Sequence, residues 1–243
     1  MQWEQASIDR DSPGPTLDEG WRDKKLEELG MGATAQEVEN YFHARIFPGG
    51  EPGDSLKRSD RQPMAKHTTP NTGSGFKVST PVPDMLYGYQ EEAFARQQQT
   101  QLISVGTEMM ANDQALIYPF FVIEFQGEGP CGPANLWVAT NQCPGGSASC
   151  INTVENFNRR LRQCKSLICP IDSAAFSIAM NGTEARLYIS WKQSEVDYYT
   201  ANVQNFLLQN PEQYLKFRKY VHNIIDWGRG GRLEGFASPL IAF

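Results

Sequence analysis

The chain has 243 residues, 40% of them hydrophobic, and a formal net charge of -6, with a pI near 5.2 and a mean hydropathy of -0.48. That is enough apolar material for one large core, and no apolar run approaches the roughly 20 residues needed to span a bilayer. The acidic balance opposes generic attraction to nucleic acid, which draws on Lys and Arg contacts to phosphate, while leaving room for a local basic groove.

The amino terminus, "MQWEQASIDRDSPGP", is polar and acidic. It resembles neither a secretory signal nor an Arg-rich transit peptide, so an intracellular protein, cytoplasmic or nuclear, is expected. Residues 1–47 carry two helical patterns and read as an N-terminal helical extension. Leu17, Trp21, Leu26 and Leu29 recur at helical intervals before Gly30. Val38, Phe42 and Ile46 then line one side of a second helix that Thr34 can cap. Residues 48–75 are rich in Pro, Gly, Ser and charge, which predicts an irregular or flexible connection.

Residues 76–243 read as one α/β domain. "FKVST" has strand character and leads into "PVPDMLYGY". "EEAFARQQQTQLISVGTEMM" is helical in pattern, and "ALIYPFFVIEFQ" is the strongest strand. "ANLWVATNQC" and "SASCINTVENFNRRLRQC" predict a helix interrupted or bent at Pro144-Gly145-Gly146. "AAFSIAMNGTEARLYISWK" predicts a hairpin turning at Asn181-Gly182. Asn181-Gly182-Thr183 is also a formal glycosylation sequon, read here as the turn. A final helix begins at Asn210-Pro211 and stops at Gly228, with Tyr214, Phe217, Val221, Ile224 and Ile225 as its stripe.

The five cysteines (Cys131, Cys143, Cys150, Cys164, Cys169) and three histidines (His43, His67, His222) do not fall into zinc-ligand spacings, so reduced thiols are expected. The chemistry-bearing feature is the polar end of the strongest strand. Alternation puts Val122, Glu124 and Gln126 on one face and Ile123 and Phe125 on the other. A carboxylate at the end of a core strand costs free energy unless it is paired, hydrogen-bonded or bound to a cation. Asp84, 40 residues earlier, can meet Glu124 only if their strands are neighbours. Two such carboxylates would make a hard oxygen site suited to Mg²⁺ or Mn²⁺.

Pro83-Asp84 followed by Glu124-Phe125-Gln126 resembles the PD-(D/E)xK nuclease-like superfamily. The likeness is nearest to a group of fungal proteins of mostly unknown function. "PDMLYGY", "YPFFVIEFQG", "VATNQCPGGSASC", "FSIAMNGTEARLYISW" and "FRKYVHNIIDWG" carry it in order over residues 76–228. It implies a restriction-endonuclease-like core, a mixed central sheet flanked by helices, with Asp84 and Glu124 as metal ligands. Gln142, on the helix after the strand, would contribute to the site. The motif's usual lysine is Gln126 here, which can orient water by hydrogen bonds but supplies no positive charge. Lys77 and Lys192 are the candidates for a migrated cation.

Three functions follow. The first is a metal-dependent phosphodiester hydrolase using Asp84, Glu124 and Gln126. The second is a repurposed fold acting without metal on a small molecule, as in fungal secondary-metabolite biosynthesis, with Asp84, Glu124, Gln126 and Gln142 as acid, base or hydrogen-bond donors. The third is a non-catalytic binding module. Arg159, Arg160, Arg162 and Lys165, and Lys216, Arg218 and Lys219, are candidate phosphate contacts that more often form the wet face of a helix. Cys143 reads as a buried thiol, and Trp137, Trp191 and Trp227 as core packing.

Overall fold

The computed structural model describes residues 23–49, 53–71, 79–127, 136–164 and 169–242. The expectations for Leu17, Trp21, Phe76, Lys77, Val78, Cys131 and Lys165 lie outside these residues.

Two short helices open the described chain. α1 (Lys24–Leu29) is capped by Asp23, whose carboxylate accepts from the Lys25 and Leu26 backbone N–H groups. α2 (Ala35–Arg45) carries a reciprocal capping box between Thr34 and Glu37, satisfying donors that a helix start leaves unpaired. Asp23 also accepts from the Tyr41 hydroxyl at 2.8 Å and pairs with Arg45 at 2.7 Å, tying the start of α1 to the far end of α2. The second helix buries Val38 and Phe42, with Ile46 at its C-cap, as the spacing predicts, and Tyr41 as well.

Six strands form one mixed sheet in sequence order: β1 (Leu56–Asp60), β2 (Met85–Tyr89), β3 (Ile117–Phe125), β4 (Ala175–Met180), β5 (Glu184–Lys192) and β6 (Tyr198–Leu207). Every neighbouring pair is antiparallel except β3 and β4, which are parallel. A parallel pair needs a long crossover, and α4 (Trp137–Leu161) supplies it. The remaining helices are α3 (Arg96–Val105), α5 (Pro211–Trp227) and α6 (Ala237–Ala242), with a π-helical turn over Gly228–Arg232.

The sheet is covered on both sides. Phe47 of the α2 exit meets Phe121, Phe125 and α5's Phe217 with ring centroids 6.1 to 6.5 Å apart. On the opposite face Val122 belongs to a smaller cluster with Leu86, Cys150, Ile151 and Ala175 under α4. The alternation read from "YPFFVIEF" therefore holds from Phe121 to Phe125.

Three expectations need correction. Residues 48–75 are not wholly irregular, since "LKRSD" forms the edge strand β1 with every residue paired to β2; its charges mask the alternation. The strand expected at "FKVST" is absent at Ser79 and Thr80, its described residues. α4 is not interrupted at Pro144-Gly145-Gly146 and runs on through them. These residues serve contacts: a Cβ on Gly146 would lie 3.0 Å from a Val122 methyl, so glycine lets the helix approach β3, and Pro144 and Gly145 face a cavity. Gly228 is the C-cap of α5, as expected, and the chain passes from it directly into the π-turn. A Cβ there would fall 2.2 Å from the Phe120 ring, so close packing requires the glycine. The strand β6 was not anticipated from the sequence at all.

The hairpin between β4 and β5 is present, with a different turn chemistry. Neither Asn181 nor Gly182 has a positive φ. Instead Asn181 Oδ1 accepts from the Thr183 N–H, the Thr183 hydroxyl and the Glu184 N–H at 2.8 to 3.0 Å. Gly182 is needed because a Cβ would stand 2.2 Å from the Leu29 carbonyl of α1. Asn181 is buried and committed to this turn.

Candidate functional site

The register of the sheet brings the two carboxylates together. β2 pairs Met85 with Ile123, so one step further places Asp84 opposite Glu124. Directly opposed residues of an antiparallel pair share a face. The row extends on both sides. β1 pairs Asp60 with Met85, placing Arg61 opposite Asp84, and β3 pairs Glu124 with Ala179, itself opposite Arg186. Across the sheet the row runs Arg61, Asp84, Glu124, Ala179, Arg186.

Asp84 stands just before β2, half-buried. Its Oδ2 accepts from the Phe125 backbone N–H at 2.7 Å, and its Oδ1 lies 3.7 Å from Arg61 Nε. Burial raises its pKa above the usual carboxylate range, while the Phe125 N–H and Arg61 pull the other way. Glu124 is only 2% exposed. Burial, followed by the charge of Asp84, pushes its pKa up to about 8, against a smaller lowering by the Asp84 backbone. A carboxyl group held this way takes up a proton or a cation readily.

Glu124 opens onto a cavity of about 610 Å³. One wall is the first half of α4, with Asn141, Gln142, Pro144 and Gly145. The other walls are Pro70, the segment from Ser79 to Val82, and Val196, Asp197 and Tyr198 at the start of β6. Gln142 thus joins Glu124 at the cavity, while Asp84 is not among its lining residues. Gln126 follows β3, half-buried, with its amide donating to the Gly127 carbonyl at 3.4 Å, and it does not line the cavity. Gly127 is pressed against α2, where a Cβ would lie 1.9 Å from the Ala35 nitrogen.

The remaining candidates sort by their partners. Cys143 is fully buried beside Ala139 and Ala179; burial, then the nearby Glu124 charge, pushes its thiol far up, so it is no thiolate nucleophile. Lys192 contacts Glu195 at 3.4 Å and lies 5.8 Å from the Tyr198 ring centre. Arg159, Arg160 and Arg162 pair with Glu195, Glu108 and Glu155, and Lys216 lies over the Tyr220 ring. Trp227 packs edge-on against Phe120 and Phe176. Trp137, expected in the core, is 67% exposed at the start of α4, and Trp191 stacks on the exposed Tyr199.

Reasoning from sequence missed Arg61, Glu39 and Asn141. Arg61 follows β1 with φ of +52°, a left-handed conformation uncommon for a side chain of this size. It forms an ion pair with the buried Glu39 of α2 and donates to Gln36 at 3.1 Å. The alternation Leu56, Arg58, Asp60 against Lys57, Ser59, Arg61 was the available signal. Asn141 was visible as the neighbour of Gln142.

A family model described as a domain of unknown function (DUF7924) matches residues 36–239. The chain belongs to that family. The DUF7924 match begins within α2 and ends within α6, so it takes in the sheet, α4 and both carboxylates. No curated protein matches the chain, and no solved structure does. Among the described residues no helix is long and apolar enough to cross a membrane, and no group of three or more His, Cys, Asp or Glu side chains is placed to hold a metal ion.

Proposed function

We propose that this DUF7924 protein is a divalent-cation-dependent phosphodiester hydrolase of the PD-(D/E)xK nuclease-like type. The observation that carries the reading is the placement of Asp84 opposite Glu124, both with raised proton affinity, with Glu124 lining a cavity that it shares with Gln142. Two half-buried to buried carboxylates held side by side repel each other unless a proton or cation lies between them. Their all-oxygen chemistry fits Mg²⁺ or Mn²⁺. Asp84 and Glu124 would hold the ion, which when bound supplies an activated water and stabilises phosphoryl charge. The chain's own part is to orient. The Phe125 N–H fixes one Asp84 oxygen, β3 fixes Glu124, and the Asn141 and Gln142 amides on the α4 wall bind and direct substrate or water.

A second reading, acid–base chemistry on a small molecule without metal, is favoured by one observation. No Lys or Arg lines the cavity among the described residues, and Glu124 with a pKa of about 8 keeps its proton at neutral pH. The test is cleavage of plasmid DNA and bis(p-nitrophenyl) phosphate with Mg²⁺, Mn²⁺ or EDTA, for the wild type, Asp84→Asn and Glu124→Gln. Cation-dependent cleavage lost in both variants supports the hydrolase. Titration calorimetry showing no Mn²⁺ binding, with no cleavage, removes that reading and leaves the small-molecule one. A protein that also binds no small molecule in the cavity would be the binding module.

A further inference from the structure

We infer that Arg61 is the positioning cation of this site: it holds Asp84 from the flank and supplies the positive charge that the motif position, occupied by Gln126, does not. The inference rests on the reading of Asp84 and Glu124 as the functional pair and goes beyond it by naming a residue outside the motif.

Three independent features place Arg61 in this role. The first is register. Arg61 is opposite Asp84, and its backbone N–H donates to the carbonyls of both Pro83 and Asp84 at 3.1 Å, so the Arg61 backbone is locked to the segment that carries the carboxylate. The second is conformation. A left-handed arginine persists only where the surroundings over-determine it. Here the residue in that conformation has its side chain 3.7 Å from Asp84. The third is the way the guanidinium is shared. Gln36 and Glu39 of α2 engage its two terminal nitrogens, while Nε faces Asp84 at 3.7 Å. A planar fork held at three points cannot rotate freely, so the charge stands at one place beside Asp84. Its side chain is half exposed, leaving it able to face a bound anion.

The neighbouring charges also favour this assignment. Glu39, Asp84 and Glu124, when ionised, carry three negative charges against the single positive charge of Arg61, leaving two for a divalent cation to neutralise. The other basic candidates nearby are committed elsewhere: Lys192 to Glu195 and the Tyr198 ring, and Arg186, at the far end of the row, to Glu184 at 2.6 Å.

The experiment compares wild type, Arg61→Gln, Arg61→Lys and the double variant Glu39→Gln/Arg61→Gln. Hydrolysis of bis(p-nitrophenyl) phosphate gives kcat and KM, and titration calorimetry gives Mn²⁺ affinity. Loss of a fixed electrostatic group costs roughly 100-fold or more in kcat, so Arg61→Gln should lose about that factor with KM little changed. Removing a cation beside Asp84 should leave Mn²⁺ affinity equal to or tighter than wild type. Arg61→Lys, which keeps the charge but not the fork, should recover part of kcat. The double variant removes the unpaired buried charge on Glu39, so a folding failure of Arg61→Gln alone does not block the test. Wild-type kcat in Arg61→Gln or in the double variant overturns the inference while the hydrolase reading stands. Loss of Mn²⁺ binding together with thermal stability in the double variant shows a purely structural role and overturns it too. A wild type that neither binds Mn²⁺ nor cleaves overturns the hydrolase reading itself, and the inference with it.

Discussion

Replacing Glu124 by Gln should stabilise the metal-free protein at neutral and mildly alkaline pH, and should remove a pH dependence that the wild type shows. The carboxyl group is 2% exposed, and its pKa rises from the ordinary 4.5 to about 8 on folding. A raised folded-state pKa means the unfolded chain loses this proton first. The stabilising contribution is complete below about pH 4.5, is lost progressively as pH rises, and is gone above about pH 8. At pH 7 the accumulated loss is about 2.5 pH units at ~1.4 kcal/mol each, roughly 3 kcal/mol. Relaxation and water entry reduce such buried costs, so the expected gain for Glu124→Gln at pH 7 is about 1–3 kcal/mol. For a chain of this size that is roughly 3–10 °C in Tm. The assay is thermal denaturation of both proteins in EDTA from pH 5 to pH 9. Wild type and variant should converge at pH 5 and separate as pH rises. Parallel curves with a constant offset would refute the claim that Glu124 is a desolvated, proton-holding carboxyl.

Asp84→Asn should abolish Mn²⁺ binding measured by calorimetry while leaving the fold intact, because an amide oxygen still accepts from the Phe125 N–H. Gly182→Ala should destabilise by about 2 kcal/mol or more in urea unfolding, since its Cβ meets the Leu29 carbonyl at 2.2 Å and must push α1 off the hairpin. Asn158→Ala should cost about 2–3 kcal/mol by the same measurement. That buried amide donates to the Ile171 carbonyl and accepts from the Ile171 N–H, both at 2.8 Å, and its loss leaves two backbone groups unpaired where the chain enters β4. Thr34→Ala should cost about 1 kcal/mol through loss of the capping box, seen as a lower urea midpoint.

The legible parts of the sequence were those with a short-range physical signature. The run from Phe121 to Phe125 alternates between two buried faces. Thr34 caps α2, Asn210 with Pro211 starts α5, and Asn181 marks the hairpin, because each depends on neighbours within a few residues. The pairing of Asp84 with Glu124 was inferable as a condition, that their strands be adjacent, and the sheet meets that condition.

What only the tertiary structure decided are the places where a residue answers to something distant in sequence. Pro144-Gly145-Gly146 carries a breaker's composition, yet the helix continues through it, and Gly146 lets it pack closely on Val122. Gly182 and Gly228 sit where turn and stop signals are expected, but Leu29 and Phe120 set their requirement. β1 looked like linker because an exposed edge tolerates Lys, Arg and Asp. Local pattern therefore determined which carboxylates could form a site. Long-range register determined that Arg61 stands beside Asp84 and that, of Asp84, Glu124 and Gln126, Glu124 alone lines the cavity.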